Sequence, residues 1–122
     1  ATLLSHKTGL PLLYTREKAK SHGRERAIEG IMEKGDLVII IDDLTTTGGS
    51  IKTAASIIRE NGGKVEDAMV MLDREEGAKE SLKEAGIDLH ACLKISEVIE
   101  YLKKESLLSE DRYSLIVERL KK

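Results

Sequence analysis

The 122-residue chain has no tryptophan and no phenylalanine, and its aromatic residues are Tyr14, Tyr101 and Tyr113. So few rings exclude a base-stacking platform of the kind that holds single-stranded nucleic acid. A lone cysteine, Cys92, excludes an internal disulfide framework and a multi-cysteine zinc site. The three histidines, His6, His22 and His90, share no metal-ligand spacing. Charge of one sign is also missing: 20 Lys+Arg stand against 22 Asp+Glu, a formal net charge of -2. Nucleic-acid binding driven by bulk charge is therefore not expected, and any cationic site must be a local cluster. The apolar runs, such as Leu37 to Ile41, are far too short to span a bilayer. The N-terminus lacks the basic flank and apolar stretch of a signal peptide. The chain reads as a soluble cytoplasmic protein with neither a membrane nor a nucleic acid as partner.

What is present is one domain's length of chain, with 40% hydrophobic residues that are almost entirely aliphatic. Ala1 to Thr8 has helix-compatible composition stopped by Gly9. Leu10 to Tyr14 follows as a short strand with Pro11 at its start. From residue 15 to 30 the apolar periodicity disappears, while Arg16, Lys18, Lys20, Arg24 and Arg26 accumulate between glycines. A long flexible loop is expected there, and such loops are more often functional than accidental. After a turn at Lys34-Gly35-Asp36, the β-branched run Leu37 to Ile41 predicts a strand buried on both faces.

Ile51, Ala54, Ala55 and Ile58 then recur at i, i+3, i+4 and i+7, predicting a helix closed by Asn61-Gly62-Gly63. A second strand is expected over 65–72, with Met69 and Met71 in the core, then a charged helix over about 76–85. A third strand over 87–93 carries Leu89, Ala91 and Leu93 on one face. Cys92 is expected to pack, and His90 to be packed or at an edge. Two closing helices bear the stripes Ile95, Val98, Ile99, Leu102 and Tyr113, Ile116, Val117, Leu120. Strands alternating with helices give an α/β class: a mainly parallel sheet with right-handed crossovers.

The segment with chemistry in it is Val38-Ile39-Ile40-Ile41-Asp42-Asp43-Leu44-Thr45-Thr46-Thr47-Gly48-Gly49-Ser50. It sets two carboxylates at the C-terminal end of a strand, where open α/β sheets bind ligands. Threonine hydroxyls and glycine amides then lead into a helix N-terminus, which suits a phosphate. The acids would repel that phosphate, so they suit hydroxyl groups or a nearby metal ion. A bare Gly-Gly-Ser would mean only a strand-to-helix turn with a solvated acid pair; thirteen ordered residues are far more specific. The string is not a Walker A loop and contains no GxGxxG.

The string resembles the phosphoribosyl-pyrophosphate (PRPP) motif of type I phosphoribosyltransferases. Arg16-Glu17-Lys18-Ala19-Lys20-Ser21-His22-Gly23 resembles the catalytic loop of the orotate phosphoribosyltransferases, and Leu72-Asp73-Arg74-Glu75-Glu76-Gly77 resembles their segment after the next strand. The stretch from Ala68 to His90 is similar to the orotate phosphoribosyltransferase domain of UMP synthase. The likeness runs over the whole chain, which looks like the C-terminal, PRPP-binding part of such an enzyme, without its N-terminal hood and pyrophosphate loop.

This resemblance implies a Rossmann-like core over 1–122 with a flexible catalytic loop at 15–30. It implies an enzyme, a pentosyltransferase of pyrimidine synthesis, making orotidine 5′-monophosphate and pyrophosphate from orotate and PRPP. By the same likeness Asp42 and Asp43 hold the ribose hydroxyls, with Mg²⁺ between ribose and pyrophosphate. Thr45, Thr46, Thr47, Gly48, Gly49 and Ser50 cradle the 5′-phosphate, and Thr46 also lies near the base. Lys20 stabilises the departing pyrophosphate with Arg16 and His22, and Arg74 contacts the orotate carboxylate. A homodimer whose loop acts in trans is implied as well. The loop departs from the family pattern at Glu17, where lysine is usual, and at Ser21, where aspartate is usual. Two other readings stay open: a purine phosphoribosyltransferase, and a PRPP-binding or regulatory relative that does not turn over.

Overall fold

A computed structural model describes residues 1–16 and 28–120. Helix α1 (Thr2–Thr8) ends at Gly9, whose φ of 73° gives the left-handed stop that its glycine predicts. The next segment runs without ladder pairing until β1 (Tyr14–Thr15), which pairs antiparallel with β2 (Ile28–Glu29). The strand expected over Leu10 to Tyr14 is thus only a two-residue rung. The ends of the expected 15–30 loop, Thr15 and Ile28–Glu29, are paired backbone rather than loop.

A three-stranded parallel sheet follows, in the order β3 (Ile40–Thr45), β4 (Asp67–Asp73), β5 (Asp88–Lys94). Helix α2 (Gly49–Glu60) connects β3 to β4, and α3 (Ala78–Glu84) connects β4 to β5. The chain closes with α4 (Ile95–Lys104) and α5 (Glu110–Leu120). Both helical stripes read from the sequence are at least half buried there.

The core lies on one face of the sheet. Ile51, Ala55 and Ile58 of α2 and Ala78 and Leu82 of α3 pack against Ala68 and Val70 of β4, with Val65 and Ile87 alongside. Each large side chain so buried contributes about 1.5–3 kcal/mol. The opposite face is open among the described residues. Met69 and Met71 alternate with the buried pair and are 39% and 59% exposed, so they are not core residues. Cys92 is likewise exposed rather than packed. The register places Ile41, Met69 and His90 in one row across the sheet.

Strand β3 also differs from its expectation. Leu37 makes only an isolated bridge to Lys64, and Leu37 and Ile39 are exposed. An unbroken apolar run signals two covered faces only if neighbours exist on both. The strand begins at Ile40 and runs through Asp42 and Asp43 to Thr45, so the acids lie within it rather than after it. The edge of β3 away from β4 carries no partner strand among the described residues. It borders a cavity of about 610 Å³ lined by residues such as Leu4, Leu12, Tyr14, Ile39, Asp42 and Ser50.

Candidate functional site

The chemistry-bearing string folds as strand, turn and helix at the C-terminal edge of the sheet. Asp42 is half buried, and its carboxylate accepts the Asp43 amide at 3.0 Å and the Ser50 hydroxyl at 3.3 Å. The Asp43 carboxylate accepts the Leu44 amide at 2.7 Å. Successive strand residues project to opposite faces, so the two acids do not form a chelating pair. Among the described residues no group of three or more His, Cys, Asp or Glu could hold a metal ion. Each carboxylate is a hard oxygen donor of the kind that supports a hard cation beside a phosphate.

The turn after Thr45 is shaped by Gly48, which takes a left-handed φ of 80° and stands at the N-cap of α2. A Cβ there would lie 2.9 Å from Cγ of fully buried Leu82, so both conformation and space demand glycine. Among the described residues no side chain caps this helix, and no acid sits in its first turn. Its leading amides, beside the hydroxyls of Thr46, Thr47 and Ser50, have the chemistry of an anion cradle. The Thr45 hydroxyl, in a residue only 2% exposed, is buried at the start of this turn with no hydrogen-bond partner among the described residues.

The end of β4 is tied to the same place. The Arg74 amide donates to the Thr45 carbonyl at 3.0 Å, which brings residue 74 to the mouth of the cradle. The Arg74 guanidinium meets the Glu76 carboxylate at 2.7 Å. Asp73, only 6% exposed, accepts the Glu75 amide at 2.8 Å. Glu75 is left-handed with φ 57°, and its carboxylate accepts the Ser96 amide of α4 at 2.9 Å. Hydrogen bonding from Ser96, side chain and backbone, holds the Glu75 carboxyl below its ordinary value of 4.5; the Lys94 charge adds to this and slight desolvation opposes it. Asp73 and Glu75 were not singled out from sequence, although the Asp-Arg-Glu-Glu-Gly string after an apolar strand was the available signal.

The structure thus brings Asp42, Ser50, the 45–49 turn and the backbone of Arg74 together. Arg16 instead pairs with Glu29 at 2.7 Å across the β1–β2 ladder. Lys20 and His22 lie outside the described residues, as do Glu17 and Ser21. Away from the site, His90 on edge strand β5 meets Asp67 at 2.7 Å.

No family model matches the chain. The orotate phosphoribosyltransferase of Pyrococcus horikoshii is 46% identical over 100 residues, covering 82% of this chain and 54% of that protein. Among solved structures, Leishmania donovani UMP synthase superposes with a TM-score of 0.85 at 32% identity, over 98% of this chain and 26% of that one. A Mycobacterium tuberculosis orotate phosphoribosyltransferase solved with PRPP gives 0.63 at 29% identity, over 71% and 49%. The chain spans about half the length of the curated relatives it matches. It resembles the orotate phosphoribosyltransferases over that part, and its sheet and helices have the type I phosphoribosyltransferase architecture.

Proposed function

We propose, from that likeness, that the protein is an orotate phosphoribosyltransferase whose PRPP site is the β3–turn–α2 unit. The observation that carries the reading is the uncapped N-terminus of α2, opened by left-handed Gly48 and flanked by Asp42 and Asp43. In this reading the 45–50 turn holds the 5′-phosphate through amides and hydroxyls. Asp42 and Asp43 take the ribose hydroxyls as acceptors, which explains acids beside an anion cradle. Arg74, tied by its amide to Thr45, meets the carboxylate of orotate, and Thr46 lies near the base. The charge-neutral or amine-bearing edge of a purine gives Arg74 no such partner, so the purine alternative is the weaker one.

In the reaction the C1–O bond to pyrophosphate breaks and a C1–N bond to a ring nitrogen of orotate forms, that nitrogen's proton leaving to solvent or to the departing pyrophosphate. Negative charge grows on the leaving group, and Lys20, with Arg16 and His22, stabilises it. Mg²⁺, when bound with PRPP, supplies further charge neutralisation at the pyrophosphate. Closure of the segment between β1 and β2 would keep water from the electron-poor sugar. The reading includes a cytoplasmic homodimer in which that segment acts in trans, and the hood and pyrophosphate loop in the remaining length of such enzymes.

Loss of orotate absorbance with PRPP and Mg²⁺ tests the activity. Consumption should need both, and Lys20→Ala should slow it by about 10²-fold or more. Activity indifferent to Lys20→Ala would overturn the loop assignment. Tight PRPP binding without turnover would favour the regulatory reading.

A further inference from the structure

We infer that Glu75 is a positioning residue for Arg74, and so sets affinity for the acidic base but not for the phosphoribosyl half. The inference rests on the reading of Arg74 as ligand of the base carboxylate. Three tethers hold the turn that carries Arg74. Its own amide reaches the Thr45 carbonyl at 3.0 Å, the Glu75 amide reaches Asp73 at 2.8 Å, and the Glu75 carboxylate reaches the Ser96 amide at 2.9 Å.

The third tether is the unusual one. A φ of 57° is costly for a residue with a side chain, and glycine would adopt it freely. Such strain persists where the surroundings over-determine it. Here the side chain that glycine would lack caps a helix 21 residues further on. In α4, Glu97 covers the Lys94 amide at 3.2 Å, and Glu75 covers the Ser96 amide that Glu97 leaves. Ser96 thus ties the 74–77 turn to α4 through Glu75, by backbone and side chain. Arg74 itself is half exposed and paired with Glu76 on the same turn, a contact that moves with the turn and cannot fix it. The phosphate cradle has its own anchor, the Ser50 hydroxyl on Asp42. Loosening the Glu75 anchor should therefore act on one half of the ligand.

Calorimetric titration with orotidine 5′-monophosphate and with ribose 5-phosphate separates the two halves. Glu75→Ala should weaken the first by about 10-fold, the scale of a lost hydrogen bond to a charged group, and leave the second within about 2-fold. Glu75→Gln, which keeps an acceptor for Ser96, should recover most of the loss. Glu75→Gly removes carboxylate and backbone strain together, and should fold and show the same selective loss. Equal weakening of both ligands, or no weakening in either Glu75→Ala or Glu75→Gly, would overturn the inference. Arg74→Ala serves as reference: if it leaves orotidine 5′-monophosphate binding intact, the reading of Arg74 fails, and if it alone weakens binding, only the role of Glu75 fails.

Discussion

Gly48→Ala attacks the site and the core at one point. Two costs combine. The φ of 80° places an alanine in the left-handed region, at about 1–2 kcal/mol. Its methyl group would lie 2.9, 3.2 and 3.3 Å from Cγ and the two Cδ atoms of Leu82, a side chain with no exposure and little room to retreat. Overpacking of that kind costs about 1–3 kcal/mol. The expected loss is about 2–5 kcal/mol, a large part of what a domain this size has to lose. Equilibrium urea denaturation measures it through the midpoint at constant slope. Gly77→Ala is the control: its φ is 90°, yet no atom of the described residues lies within 4 Å of the added methyl, so only the conformational cost of about 1–2 kcal/mol should appear. Equal losses at the two glycines would refute the steric half of the reasoning. A loss below about 0.5 kcal/mol at Gly48 would refute all of it.

Other consequences are independent of the ligand. Leu82→Ala should cost about 2–5 kcal/mol in the same denaturation assay, whereas Met71→Gln, on the open sheet face, should stay within about 0.5 kcal/mol. Because the folded Glu75 carboxyl titrates below 4.5, its contribution is present above that pH and fades as pH falls through the lower folded value. Melting curves from neutral pH down to about 3 should show wild type and Glu75→Gln converging only below about 4.5. The Lys103–Glu110 pair is surface-exposed, so Glu110→Gln should scarcely move the melting point, and less still in high salt.

Much of this architecture was legible because its signals are local. The i, i+3, i+4, i+7 spacing of Ile51, Ala54, Ala55 and Ile58 needs no knowledge of neighbours, and the helix ends where Asn61-Gly62 stops it. Exposure was not legible in the same way. Met69, Met71, Ile39 and Cys92 carry the composition of a sheet covered on both sides, and only their neighbours decide whether a second layer exists. The acid–turn–helix unit was readable as a string because its ligand-facing groups are consecutive. Glu75 was not, because its partner Ser96 lies on another element and its left-handed backbone leaves no mark in residue identity.

The most direct test of the account is an amide-resolved NMR titration of the protein with PRPP and Mg²⁺. The account predicts the largest shifts at the amides of residues 46–50, with smaller ones at Asp42, Asp43 and Arg74, all abolished by Gly48→Ala. Shifts centred elsewhere on the sheet, or an unchanged spectrum at saturating PRPP, would contradict it.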